Sequence, residues 1–143
     1  MKRFIPLILL TLFFSSTNCE NILDCIINVR PELKDKTLEI GFVDGNYYDN
    51  ITAQINNEAR DNNYDYYFDV SGRLPRGIVV DYDTYREVIL RGVPKESGRF
   101  RFTVSLEVVA LNEFYYDDFG NEVYDDPLCT DTTSRTYVLV IKD

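Results

Sequence analysis

The sequence contains no histidine and no tryptophan, and it has only three cysteines. Histidine is the commonest general base, the usual partner of a nucleophilic Ser or Cys, and the commonest zinc ligand. Its absence argues against most hydrolase mechanisms and against a zinc site. Long apolar runs are also lacking. The run at residues 4–14 has 11 residues, whereas a membrane-spanning helix needs about 20. The composition thus predicts a non-catalytic protein without a transmembrane helix.

The first 18 residues have the order of an export signal. Lys2 and Arg3 form a positively charged start, the apolar run at residues 4–14 follows, and residues 15–18 are small or polar. A positive region, a short apolar region and a small-residue stretch, in that order, are typical of a secretory signal peptide. We therefore expect residues 1–18 to be a signal peptide that is removed on export.

Cys19 stands directly after this leader. A cysteine in that place resembles the lipid-attachment site of bacterial lipoproteins, in which cleavage before the cysteine accompanies its acylation, for example with palmitate. Ser16 and Asn18 occupy positions where those proteins usually carry Leu and a small Ala or Gly. The resemblance implies lipid on Cys19, a short tether over residues 19–35 and a folded domain over residues 36–143. The alternative is an ordinary secretory leader with a free thiol at Cys19.

The odd number of cysteines bears on this interpretation. An exported chain with three cysteines leaves one thiol unpaired. If Cys19 carries lipid, Cys25 and Cys129 remain as a pair, and the compartment that export reaches is oxidising. The sequence therefore predicts a Cys25–Cys129 disulfide. Without lipid on Cys19, the alternative is that one of the two pairs with Cys19 instead.

The charge of the exported part is strongly negative. Residues 19–143 contain 13 basic and 24 acidic residues, which gives a net charge of −11. Such a surface repels nucleic-acid phosphates and anionic lipid headgroups, so neither is an expected partner. It favours cationic partners or hard cations.

The pattern of apolar residues has a period of two over most of the exported part. It is clearest at residues 100–108, where Phe, Phe, Val, Leu and Val alternate with polar residues. Similar segments lie at residues 37–42, 51–55, 64–70 and 136–141, and short apolar runs lie at residues 78–80 and 88–90. Short alternating segments between turn signals are typical of a β-sandwich. We therefore predict an all-β fold, a single immunoglobulin-like antiparallel β-sandwich of about seven strands.

Three motifs carry a family resemblance. Residues 74–78 read Leu-Pro-Arg-Gly-Ile, residues 92–94 read Gly-Val-Pro, and residues 98–104 read Gly-Arg-Phe-Arg-Phe-Thr-Val. Their order and spacing resemble the immunoglobulin-like, cadherin-related repeats of bacterial surface proteins, over most of residues 36–109. The resemblance implies a sandwich fold and a role as a spacer or as an adhesive or binding module.

One segment does not fit a bare sandwich. Residues 112–133 separate the last two predicted strands, and loops of this length are often functional. We expect a long loop or a small hairpin that turns at residues 118–121. Exposed Tyr beside Asp offers flat apolar faces and hydrogen-bond acceptors that suit a sugar or a protein ligand. The predicted binding surface consists of Tyr115, Tyr116, Asp117, Asp118, Phe119 and Tyr124.

Two acidic clusters lead to a calcium hypothesis. Asp61, Asn63 and Asp65 place oxygen ligands at alternate positions, as a hard cation requires. Carboxylates at residues 117–118 and 125–126 would also converge across the predicted hairpin. The alternative is that these carboxylates form a solvated surface.

The function that these observations favour is non-catalytic. We expect an exported lipoprotein of the bacterial cell envelope, lipid-anchored at the outer membrane on its periplasmic or surface face, that binds a protein or glycan or has a structural role. Two alternatives remain at this stage. One is a calcium-stabilised adhesion module, and the other is a carbohydrate-active enzyme or its accessory subunit.

Overall fold

The computed structural model describes residue 25 and residues 27–83, 86–111, 114–124 and 128–143. This part of the chain contains ten strands and one short 3-10 helix at Asp61–Asn63. The strands are β1 (Arg30–Leu33), β2 (Gly41–Phe42), β3 (Tyr47–Asn56), β4 (Tyr64–Gly72), β5 (Ile78–Asp83), β6 (Glu87–Gly92), β7 (Gly98–Ala110), β8 (Phe114–Tyr116), β9 (Glu122–Tyr124) and β10 (Thr132–Lys142).

Eight of these strands form two four-stranded sheets. The first sheet has the order β1-β3-β6-β5, the second has the order β2-β10-β7-β4, and β8 pairs with β9 alone. These are the A-B-E-D and G-F-C strand orders of an immunoglobulin sandwich. The predicted all-β, immunoglobulin-like sandwich is thus confirmed, with ten described strands rather than about seven. The prediction of purely antiparallel pairing is wrong in one place, because β2 runs parallel to β10.

The core lies between the two sheets and follows the alternation in the sequence. On β7 every second side chain is buried, and the intervening ones face outward. Inward-facing residues of both sheets complete the core, and the rings of Phe102 and Tyr137 stack at 5.9 Å. Burying each large apolar side chain stabilises the fold by roughly 1.5–3 kcal/mol. The buried hydrophobic residues of the three longest core strands are Tyr47, Ile51, Ala53, Ile55, Phe100, Phe102, Val104, Leu106, Val108, Tyr137, Leu139 and Ile141.

The segment before β3 differs from the prediction. Only Gly41–Phe42 of the expected strand at residues 37–42 is extended and paired, and the side chains of Ile40 and Phe42 are exposed. Arg30–Leu33 lies within the predicted tether of residues 19–35, but it forms β1 at the edge of the first sheet. Proline is tolerated there because an edge strand can lack an N–H on its open side. Residues 34–40 therefore cross from one sheet to the other.

A buried carboxylate holds this crossing segment in place. The side chain of Asp49 is inside the sandwich, with 5% of its surface exposed. It forms an ion pair with Lys36 and accepts hydrogen bonds of 2.8 Å from the backbone N–H groups of Glu39 and Asn50. The Tyr137 hydroxyl donates to the Lys34 carbonyl at 2.8 Å. Both sheets thus contribute polar groups that fix the crossing.

Two of the three glycines in the family-like motifs, Gly77 and Gly92, face each other. Gly77 ends the turn before β5, and Gly92 ends β6, opposite Ile78 in the ladder. Both have positive φ angles, +91° and +141°, and a Cβ on Gly92 would lie 2.0 Å from the Gly77 carbonyl oxygen. Glycine is needed at both positions because the backbones approach so closely. The first two motifs therefore mark the open end of the β5–β6 hairpin.

Candidate functional site

The β8–β9 hairpin projects from the sandwich between β7 and β10. Phe114 pairs with Tyr124, Tyr115 with Val123 and Tyr116 with Glu122. The two strands form a sheet of their own and are not part of either four-stranded sheet. The predicted hairpin excursion before the last strand is therefore present.

Asp117 organises the turn of this hairpin. Its carboxylate accepts hydrogen bonds of 2.9 Å from the backbone N–H groups of both Phe119 and Asn121, and one of 3.0 Å from the Asn121 side-chain amide. The Gly120 N–H donates to the Asp117 carbonyl at 2.9 Å. Hydrogen bonds from Asn121, Phe119 and Gly120 hold the pKa of the Asp117 carboxyl below its usual range. The turn is thus held by its own side chain.

Three aromatic side chains are exposed on this hairpin. The exposed fraction is 50% for Phe114, 62% for Tyr116 and 90% for Phe119 at the tip. The rings of Phe114 and Tyr116 meet edge to face at 6.0 Å, and the Tyr116 hydroxyl donates to Glu122 at 2.9 Å. Apolar rings on a fixed backbone lose little conformational freedom when they meet a ligand. The hairpin is therefore a candidate contact surface.

The structure brings only part of the predicted surface together. Tyr116, Asp118 and Phe119 are exposed on the hairpin, whereas the Asp117 carboxylate is occupied within the turn. The side chains of Tyr115 and Tyr124, like residues 125–127, lie outside the described part. The prediction missed Phe114 and Glu122. Phe114 had a signal in the sequence, since it precedes Tyr116 by two residues on the same strand face.

The predicted disulfide is present. Cys25 and Cys129 are bonded, with their Cα atoms 5.6 Å apart. The Cys129 N–H also donates to the Val29 carbonyl at 2.8 Å. The bridge joins the segment before β1 to the segment before β10. Cys129 follows Tyr124, the last residue of the hairpin, by five residues. Cys19, the predicted lipid-attachment residue, lies outside the described residues.

The proposed calcium ligands lie at the start of β4. The carboxylate of Asp61 forms an ion pair with Arg86, whose guanidinium also donates to Asn62 at 3.0 Å. Asn63 and Asp65 are exposed. The negative charge of Asp61 is therefore balanced within the chain. Among the described residues no group of three or more acidic, cysteine or histidine side chains is close enough to hold a metal ion.

Arg86 also affects a neighbouring tyrosine. Its guanidinium lies over the Tyr66 ring, 5.5 Å from the centroid, and one of its nitrogens is 3.4 Å from the Tyr66 hydroxyl. Burial raises the pKa of Tyr66, and the hydrogen bond from Arg86 opposes that effect. These contacts give the Asp61 region a structural role.

Comparisons with known proteins do not assign this chain to a family. No protein-family model matches the sequence, and no curated protein matches it. The resemblance to surface-protein repeats therefore rests on the three motifs alone. Over the described residues, the chain forms no helix with the length and apolar character that crossing a membrane requires.

Proposed function

We propose that this protein is a non-catalytic, lipid-anchored binding module of the bacterial cell envelope that holds a protein or glycan through the β8–β9 hairpin. The observation that carries the proposal is the exposure of Phe114, Tyr116 and Phe119 on a hairpin whose turn is fixed by Asp117. Aromatic residues clustered on one exposed hairpin are typical of contact surfaces.

The position of the disulfide determines which part of the fold an anchor on Cys19 would hold near the membrane. Cys19 precedes Cys25 by six residues, which span at most about 20 Å when extended. Cys25 is bonded to Cys129, and Tyr124 at the end of β9 precedes Cys129 by five residues. A lipid on Cys19 would therefore hold the root of the hairpin close to the membrane.

Capture of partners from the native envelope tests the binding surface. The protein carrying Tyr116→Ala and Phe119→Ala is compared with the unchanged protein as bait, and captured proteins and glycans are both identified. We expect a partner that the unchanged bait retains and the double variant loses at least tenfold, the size that follows from removing two contact residues of about 1 kcal/mol or more each.

Tyr48→Ala is the matched control for this experiment. Tyr48 is 63% exposed, almost the same as Tyr116, but it lies on the outer face of the first sheet. Its removal should leave capture unchanged. Equal capture by the hairpin variant and the unchanged protein would remove the hairpin from the site.

A separate experiment tests the anchor. Mass spectrometry of the N-terminus should show a chain that begins at Cys19 and carries the mass of acyl groups, and globomycin should block its maturation. Cys19→Ala should abolish both the added mass and the membrane association. A mature N-terminus at any other residue would leave the binding hairpin in place and remove the anchor.

A further inference from the structure

The outer face of the second sheet presents exposed and half-buried side chains over the described residues. Odd-numbered residues of β7 point outward from it, and β4 and β10 flank β7 on either side. A concavity of about 420 Å³ lies on this face, lined by residues that include Tyr67, Ser105 and Ser134. Small side chains thus occupy the centre of the face. In the part of the chain that the structure describes, the lining of this concavity comes only from β4, β7 and β10.

Charge is segregated along this face. Arg101 lies towards one end of β7, and Glu107 lies six residues further along the same strand and on the same side. At about 3.4 Å per residue these two side chains start about 20 Å apart. Both are exposed, and neither has an ion-pair partner among the described residues. One unpaired cation and one unpaired anion therefore stand at opposite ends of a polar surface.

We propose that this face binds a second copy of the same chain, face to face and with the strands antiparallel. The two copies are related by a twofold axis that lies between the two faces and runs perpendicular to the strands. The axis passes over Val70, Val104 and Arg135, which are paired neighbours on β4, β7 and β10. Arg101 and Glu107 are each three residues from Val104. The axis therefore brings Arg101 of one copy opposite Glu107 of the second copy, and the reverse pair forms at the same time.

The same axis suits the two neighbouring strands. On β4, Asp69 and Ser71 flank Val70, so the Asp69 carboxylate of one copy lies opposite the Ser71 hydroxyl of the other. On β10, Ser134 and Thr136 flank Arg135. At the centre of β7, Thr103 meets Ser105, and these small side chains allow the sheets to approach to the usual distance of about 10 Å. One axis thus gives compatible pairs on all three strands.

Other arrangements of the face are less favourable. An axis parallel to the strands would place Arg101 against Arg101 and Glu107 against Glu107, and such like-charge contacts oppose association. An acidic partner would meet Arg101 but would be repelled by Glu107 and by Asp69, which pairs with Ser105 in the ladder. The self-complementary order of charges fits the isologous contact that twofold symmetry requires.

Charge reversal tests this dimer. The exported protein, purified in detergent, is studied by sedimentation velocity over a range of concentrations. We expect a concentration-dependent dimer that weakens as salt is raised. Arg101→Glu and Glu107→Arg, made separately, should each raise the dimer dissociation constant by roughly tenfold or more, because each creates two like-charge contacts.

Two further samples, a mixture of the single variants and a double variant, make the test decisive. An equal mixture of the two single variants should form a heterodimer, because each copy then presents the charges that the other lacks. The double variant Arg101→Glu/Glu107→Arg should form a homodimer again. Arg30→Glu, which makes the same change of net charge on the first sheet, should leave dimerisation unchanged.

The outcomes that would overturn the proposal are equally plain. The unchanged protein could sediment as a monomer at every concentration. Alternatively, the mixture and the double variant could both fail to restore the dimer that the single variants lose, which would point to an external charged partner. Circular dichroism should match in all variants, because positions 101 and 107 are exposed. The proposal does not depend on the hairpin or on the lipid.

Discussion

Tyr137 shows how one side chain serves both the core and the chain crossing. Its ring is buried against Phe102, while its hydroxyl donates to the Lys34 carbonyl. Burial is the main cause that raises the pKa of Tyr137 to about 12, from an ordinary value near 10. Burial, together with the charge of Asp49, raises the pKa of Tyr47 further still. Two phenols are thus kept protonated by the fold.

This arrangement predicts loss of stability in alkali. Above pH 10 the unfolded chain releases phenolic protons that the folded chain retains, so rising pH favours unfolding. The stabilisation is complete below pH 10 and is lost as the pH rises through about 12. Each such tyrosine lowers the free energy of unfolding by about 1.4 kcal/mol per pH unit in that window. Urea unfolding at pH 8, 10 and 11 measures the slope.

Tyr137→Phe is the control for the pH series. It should cost about 1 kcal/mol at neutral pH, because the hydrogen bond to Lys34 is lost. It should also reduce the slope above pH 10. An unchanged slope in this variant would show that Tyr137 does not cause the pH dependence.

At the scale of single residues, the burial of Asp49 was not predicted from the sequence. It alternates in phase with Ile51, Ala53 and Ile55, so the pattern of β3 would place it inward if the strand were known to begin at Tyr47. We predicted that strand only from residue 51. An aspartate inside a sandwich also needs partners from elsewhere, and Lys36 supplies one from a segment without alternation.

At the scale of the elements, the close contact between the β5 and β6 ends predicts a severe effect at one glycine. Gly92→Ala would place a methyl group 2.0 Å from the Gly77 carbonyl oxygen, in a backbone conformation that is already strained for alanine. We expect a loss of about 3 kcal/mol in the free energy of unfolding, or failure to fold. Denaturant unfolding measures it.

Gly120→Ala separates the effect of a strained backbone conformation from the effect of a steric clash. Gly120 also has a positive φ, +81°, but a Cβ there would meet no atom within 4 Å. Its replacement should cost only about 1 kcal/mol, confined to the hairpin turn. If both variants lost the same stability, the contact between the two backbones would not be the reason for Gly92.

The hairpin shows how far an element can be predicted. The run of turn-forming residues after Tyr116 indicated where the chain reverses, and Asp118–Asn121 do form the turn with Asp117. The role of Asp117 was not predictable. An aspartate can bind a ligand or accept hydrogen bonds from its own turn, and only the backbone conformation decides between these uses.

At the scale of the whole molecule, the disulfide closes most of the domain into one loop. Cys25 and Cys129 are separated by 104 residues. The loop-entropy argument gives about 4–5 kcal/mol of stabilisation for a loop of this size. We therefore expect the double variant Cys25→Ser/Cys129→Ser to lose about that amount in the free energy of unfolding while keeping its far-UV circular dichroism. Reduction of the unchanged protein should give the same loss, and Cys19→Ser should give none.

Which strands pair with each other was the part of the fold that the sequence predicted least well. Alternating segments and two short apolar runs, seven in all, were enough to indicate a sandwich, and each corresponds to one of the described strands. β1 was hidden by Pro31 and by its length of four residues. β2 has two residues and pairs parallel with the end of β10, an arrangement that depends on where the crossing segment arrives rather than on its own sequence.

The bridge from Cys25 to Cys129 also has a mechanical consequence. A pull between the N-terminal segment and the hairpin would pass from Cys25 through the bridge to Cys129, and from there to Tyr124 within five residues. The force would bypass the ladders of both sheets. The 104-residue stretch between the two cysteines could not be drawn out, although unfolded it would extend to roughly 350 Å. A module held at one end by a membrane and at the other by its ligand would thus bear the load on a covalent link and keep its sandwich folded.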